Sequence, residues 1–73
     1  MKYREGDIFY FPDHVNKIYY ADQVDFSNGA HFIRIIDQDG FPGDFYADEP
    51  WLTITMVDDT RIFAVKEDLD NIC

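Results

Sequence analysis

Short runs of β-forming residues, each closed by a breaker, set the rhythm of this chain. No stretch of ten or more residues carries an apolar stripe at helical spacing. Asp7-Ile8-Phe9-Tyr10-Phe11 lies between Gly6 and Pro12-Asp13 and predicts a first strand. The next extended stretch runs from Asn16 to Phe26. Its apolar residues Ile18, Tyr20, Val24 and Phe26 share one parity that Asp22 interrupts, which predicts a bulge or tight turn near Ala21-Asp22. Ser27-Asn28-Gly29 predicts a hairpin, because Asn-Gly accepts positive φ at both central positions. His31-Phe32-Ile33-Arg34-Ile35-Ile36 then returns with apolar residues on both faces, as at the centre of a sheet or barrel.

Residues 37–50 break this rhythm with Gly40, Pro42, Gly43, Pro50 and five acids, and contain no Lys or Arg. Within them Asp44-Phe45-Tyr46-Ala47 predicts a short strand. From Trp51 to Val57 the alternation is regular, with Leu52, Ile54 and Met56 on the inner face and Thr53 and Thr55 on the outer. Asp58-Asp59-Thr60 turns the chain, and Arg61 to Val65 completes a hairpin. The polar tail from Lys66 to Cys73 is expected to make one helical turn. The pattern predicts one all-β domain over residues 1–73, a small antiparallel barrel or curled sheet of five to six strands. An SH3-like barrel is preferred at this length over an OB-type one.

Composition sharpens that picture. Twelve of the fifteen acids are Asp, a poor helix former and a frequent turn residue. Thirteen aromatic residues (seven Phe, five Tyr, one Trp) supply apolar mass for a core. Such mass is needed, because a domain of this size buries only roughly 60% of its unfolded surface. Six bases against fifteen acids leave a net charge of -9. A surface of that sign repels nucleic acid and anionic lipid and attracts basic surfaces. The single cysteine, Cys73, cannot form an internal disulfide, and a reducing compartment is the default. Apolar runs stay far below the roughly 20 residues of a membrane helix. A soluble cytoplasmic protein is expected, or one of the host cytoplasm if the chain is viral.

Candidate chemistry is sparse. Asp37-Gln38-Asp39-Gly40 resembles the opening of a calcium loop, but the fifth and sixth positions of an EF-hand would fall on Phe41 and Pro42. His14, His31 and Cys73 are scattered without a short ligand pair, and His31 reads as a hydrogen-bonded structural residue of a strand. No cofactor motif is present. Surface carboxylates in abundance differ from the buried, pKa-shifted pairs of catalysis, so an enzyme is not expected. The six bases (Lys2, Arg4, Lys17, Arg34, Arg61 and Lys66) are spread singly, which argues against direct nucleic-acid binding.

Inverting the electrostatics gives a sharper expectation. Residues i and i+2 of a strand lie about 6.8 Å apart at roughly 3.4 Å per residue, comparable to successive phosphates. Asp37/Asp39 has that spacing, Asp22/Asp25 and Asp44/Asp48 approximate it, and Asp58-Asp59 and Glu67-Asp68-Asp70 add to the field. In composition the chain is similar to small acidic phage-encoded inhibitors that occupy the nucleic-acid-binding surface of a partner enzyme. The expected partner surface comprises Asp37, Asp39, Asp44, Asp48 and Glu49, with Phe45, Tyr46 and Trp51 as aromatic anchors. The alternative is an SH3- or Tudor-like adaptor that reads a basic or Pro-rich peptide through exposed aromatics drawn from Tyr19, Tyr46, Phe45 and Trp51. An acidic surface of this kind also keeps a small protein soluble and monomeric. The chain is expected to be a monomer, or a homodimer paired along an edge strand such as Asp7–Phe11.

Overall fold

The computed structural model describes residues 2–14 and 17–68, all of them strand, turn or irregular, with no helix. Six strands follow the predicted runs: β1 (Ile8–Tyr10), β2 (Ile18–Ser27), β3 (Ala30–Asp37), β4 (Pro42–Tyr46), β5 (Leu52–Asp58) and β6 (Ile62–Glu67). They form one sheet in the order β4-β3-β2-β1-β6-β5. Four of the neighbouring pairs are antiparallel as expected, whereas β1 and β6 run parallel. β1 therefore lies in the middle of the sheet. The expected pairing of an Asp7–Phe11 edge with a second copy is ruled out by that position, and the edges are β4 and β5. Of the predicted polar tail, Lys66 and Glu67 belong to β6, and residues 69–73 lie outside the described residues.

The sheet must curl. A flat six-stranded sheet would separate its outer strands by about 24 Å, five gaps of about 4.8 Å. Yet β4 at one edge is joined to β5 at the other by residues 47–51 alone. Glu49 N–H donates to Tyr46 C=O at 3.2 Å and Leu52 N–H to Glu49 C=O at 3.1 Å, so the connection is two successive turns. Two such turns reach at most about 14 Å. The sheet accordingly closes into a half-barrel whose extents are 30 × 29 × 25 Å, with an unpaired gap between β4 and β5.

Local chemistry sets each turn and side. Asn28 and Gly29 take φ of 52° and 80° between Ser27 and Ala30, the two-residue hairpin that Asn-Gly predicts. The register of β2 slips between Ala21 and Gln23, which places the predicted bulge at Asp22. One extra residue inverts the parity of what precedes it. Ala21 and Val24 are buried as a result, while Ile18 and Tyr20 stay 58% and 48% exposed on the outer face, although the sequence pattern grouped them with Val24. Phe26, of the same group, is also exposed and packs its ring on His31 at 4.6 Å. In β5, Leu52 and Ile54 face inward as expected, whereas Met56 is exposed beside a second register slip. The core holds Tyr3, Phe9, Ala21, Val24, Ile33, Ile35, Phe63 and Val65. Phe9 and Phe63, opposite each other in the parallel β1–β6 pair, stack at 5.3 Å with their planes 21° apart.

Two of the acids lie inside. Asp7, 2% exposed, receives Arg61 Nε at 2.5 Å and Nη2 at 2.8 Å, and its second oxygen also accepts the Arg4 backbone N–H at 2.9 Å. Arg61 reaches it from a left-handed backbone position, φ 62°. The bond to Asp7 raises the pKa of the guanidinium further. Asp37, 3% exposed, ends β3 and accepts backbone N–H groups from Asp39 and Phe41 at 2.9 Å each, with Lys17 Nζ 3.6 Å away. These donors, Phe41 N–H foremost, hold its carboxyl below the ordinary value of 3.8. Asp37 was expected on a solvent-facing array; it is instead the residue that shapes the β3–β4 turn. Among the described residues no buried side-chain nitrogen or oxygen lacks a partner.

Two measurements test this packing. Phe9→Ala should cost about 3–5 kcal/mol, a large part of the roughly 4–11 kcal/mol that a domain of this length holds. Ile18→Ser on the outer face should change stability by less than about 0.5 kcal/mol; urea denaturation compares them. A carboxyl with a depressed pKa in the fold stabilises it above the ordinary value and loses that contribution as pH falls through the depressed one. Melting temperature should therefore fall as pH drops below about 4, and Asp37→Asn, which keeps an acceptor but no charge, should weaken that dependence.

Candidate functional site

The gap between β4 and β5 opens onto a groove of about 430 Å³. Its walls come from four parts of the chain that only the curl brings together. Phe11 follows β1, Tyr19 lies on β2, Phe45 on the inner face of β4, and Trp51 and Leu52 lead into β5. The rings meet edge to face: Phe11 with Tyr19 at 5.6 Å and 86°, and Phe11 with Phe45 at 6.3 Å and 84°. Phe45 continues into the core through Phe9 at 5.6 Å. Phe41, at the β3–β4 turn, borders the groove with 67% of its surface exposed. Exposed aromatic area beside rigid, packed rings is the composition of a binding anchor site.

The charged groups of the groove are unequally satisfied. Lys17 is held by Asp37. His14 Nε2 is hydrogen-bonded to Glu67 Oε2 across the end of β6. The carboxylate of Asp44, on β4, has no hydrogen bond or ion pair among the described residues. Arg34 stands opposite it across the β3–β4 ladder, but directs its guanidinium toward Asp22 at 3.9 Å. The groove thus has an aromatic wall, and an uncompensated carboxylate stands at its rim on the outer face of β4.

The predicted site residues divide accordingly. Phe45 and Trp51 come together at the groove, and Asp44 borders its rim on the edge strand, with its side chain on the same face of β4 as Tyr46. Asp39 projects from the turn that Asp37 caps, exposed and, among the described residues, without a partner for its carboxylate. Because Asp37 turns inward and accepts Asp39's own N–H, these two do not form a same-facing pair at phosphate spacing. Asp48 receives His31 N–H at 2.6 Å and lies 3.1 Å from Nδ1; the backbone donor chiefly lowers its pKa. His31 is thereby the structural histidine anticipated from the sequence. Glu49 accepts the indole N–H of Trp51 at 3.2 Å and orients that ring. Tyr46 leaves the site: alternation puts it on the opposite face of β4, 50% exposed and against Phe32 at 5.5 Å.

Phe11, Phe41, Lys17 and His14 were not anticipated as partner-binding residues, whereas Tyr19 was expected among the exposed aromatics and Glu67 only as part of the acidic field. No local spacing links them, and only the strand order does. A second surface also emerged. On the outer face, strand register sets Ile36, Tyr20, Ile8 and Ile62 in one row, and Ile18 and Tyr10 beside it. Its visible signal is the doubly apolar text of Ile8-Phe9-Tyr10 and Ile18-Tyr19-Tyr20, which feeds both faces of the sheet.

Among the described residues no group of three or more His, Cys, Asp or Glu is placed to hold a metal ion. Among the described residues no helix is long and apolar enough to cross a membrane. Comparison of the chain with protein-family models, with curated proteins and with solved structures finds no match, so its function is argued from the groove itself.

Proposed function

We propose that this chain is a non-catalytic, acidic protein-binding module whose β4–β5 groove takes a basic segment of a partner protein. The observation that carries this reading is the aromatic wall of the groove, with the unpaired carboxylate of Asp44 at its rim. A lysine or arginine side chain satisfies both, its charge on Asp44 and its stem or cation on Trp51 and Phe41. The net charge of -9 draws such a partner in at long range and repels nucleic acid and acidic competitors. Where the captured segment belongs to a nucleic-acid-binding surface, occupancy excludes the nucleic acid, and the module acts as an inhibitor. Where it belongs to a signalling or assembly partner, the same contact makes an adaptor.

Selection from a displayed library of random dodecapeptides tests the reading with every class of peptide charge competing at once. Enriched peptides should carry an excess of Lys and Arg, and their affinity should fall as salt rises. The protein's single tryptophan is Trp51, so its fluorescence should report their entry. Trp51→Ala should weaken binding about 30-fold, equivalent to roughly 2 kcal/mol at an anchor residue. Asp44→Asn, at the rim, should weaken it severalfold and flatten the salt dependence, whereas Tyr46→Ala, which does not line the groove, should leave it unchanged. Enrichment of neutral or acidic peptides, or equal binding by all three variants, would refute the proposal.

A further inference from the structure

We infer that the free edge of β5 receives an extended basic segment of the partner as a seventh strand, laid beside the mouth of the groove. The inference deepens the groove reading and rests on it for the chemistry of the partner. Its own basis is the hydrogen-bond phase of β5. Asp68 N–H donates to Trp51 C=O at 2.8 Å, which makes Trp51 and Asp68 a hydrogen-bonded pair of the antiparallel β5–β6 ladder. Such pairs alternate with non-bonded ones. Thr53 and Thr55, opposite Lys66 and Ala64, therefore bond β6, and Leu52, Ile54 and Met56 aim their backbone groups away from it. The Leu52 N–H is taken by Glu49 C=O at 3.1 Å. Among the described residues no strand lies beyond β5, so the N–H groups of Ile54 and Met56 face outward as open ladder positions.

The two edges differ in how they are guarded. β4 carries Pro42, Gly43 and Asp44, three devices that discourage strand addition. From Leu52 to Val57 the edge of β5 has no charge, no proline and no glycine. It is rich in strand formers, and its sole irregularity is the register slip near Val57. The occupant follows from charge. A second copy would bring another -9 to the contact, whereas a segment carrying Lys or Arg at alternate positions complements it. Alternation lets one face of the added strand turn its bases toward the acids while backbone bonds supply register.

Amide hydrogen exchange on the wild-type protein decides the matter, with three capped heptapeptides as probes. One alternates Lys and Val, the second replaces Lys by Glu, and the third is the Lys–Val sequence with every peptide nitrogen methylated. Without peptide, Ile54 and Met56 amides should exchange faster than those of Thr53 and Thr55. The Lys–Val peptide should slow Ile54 and Met56 at least tenfold and leave Thr53 and Thr55 nearly unchanged, and the other two peptides should not. Binding of the Lys–Val peptide that changes Trp51 fluorescence without protecting Ile54 and Met56 would overturn strand addition and leave the groove reading standing. Loss of both signals would overturn both. Protection that grows with protein concentration in the absence of peptide would assign the edge to a second copy and overturn the inference, as would equal protection by the Glu–Val peptide.

Discussion

The shape of this protein depends on a five-residue connection, residues 47–51, that must carry the chain from one edge of the sheet to the other. Coiled into two turns, it is too short for a flat sheet, and the six strands have no alternative but to bend toward each other. That bend gathers Phe9, Phe63, Ile33 and Val65 into one interior and leaves β4 and β5 facing across a gap they do not bridge. β1 makes the arrangement possible. It is only three residues long, yet it is paired on both sides and joins the β1–β4 meander to the β5–β6 hairpin. The Asp7–Arg61 pair clamps the start of that joint, and Arg61 accepts a left-handed backbone to make it. Few small domains can rely on a large interior.

Much of the local structure was legible along the chain. Gly6, Pro12 and Asn28-Gly29 mark strand limits because each restricts or frees φ in a way a strand cannot continue. Five of the strands fall on the predicted runs, β4 begins two residues before its predicted start, on Pro42-Gly43, and Asp22 betrays the bulge by breaking an apolar parity. The sidedness of Ile18 and Tyr20 was not legible, because a one-residue insertion reverses which residues face inward and its exact position decides the outcome. The parallel β1–β6 pair was equally hidden, since no local signal in Ile8-Phe9-Tyr10 names its second neighbour. The groove inherits that difficulty. Phe11, Tyr19, Phe45 and Trp51 are adjacent only after the sheet has curled, so the aromatic content alone did not locate the groove.

The acids illustrate why charge counts and charge positions are separate questions. Asp37 and Asp7 entered the sequence as parts of a negative field, yet both are enclosed and act as hydrogen-bond acceptors that shape backbone. Asp48 and Glu49 are committed to His31 and Trp51. Short Asp side chains at turns are prone to such roles, because their carboxylates reach amides two residues on. What remains for a partner is therefore a smaller set than the composition implies. Asp44 and Asp39 are prominent in it because nothing among the described residues competes for them.

The same surplus of charge explains how an unguarded strand can persist. β5 lacks the lysine, proline or inward charge by which edges usually avoid pairing with copies of themselves. Local protection would also close the edge to any partner. A net charge of -9 distributed over the rest of the molecule acts differently: it opposes every approach by a second copy while favouring approach by a basic chain. That repulsion is long-ranged, but it is screened beyond about 8 Å at physiological salt. It filters encounters by sign before backbone bonds can form, and it leaves the geometry of the edge untouched. An acidic composition and a bare β5 edge are thus two halves of one arrangement. On the proposed strand addition, charge would select the incoming strand and the edge would set how it pairs.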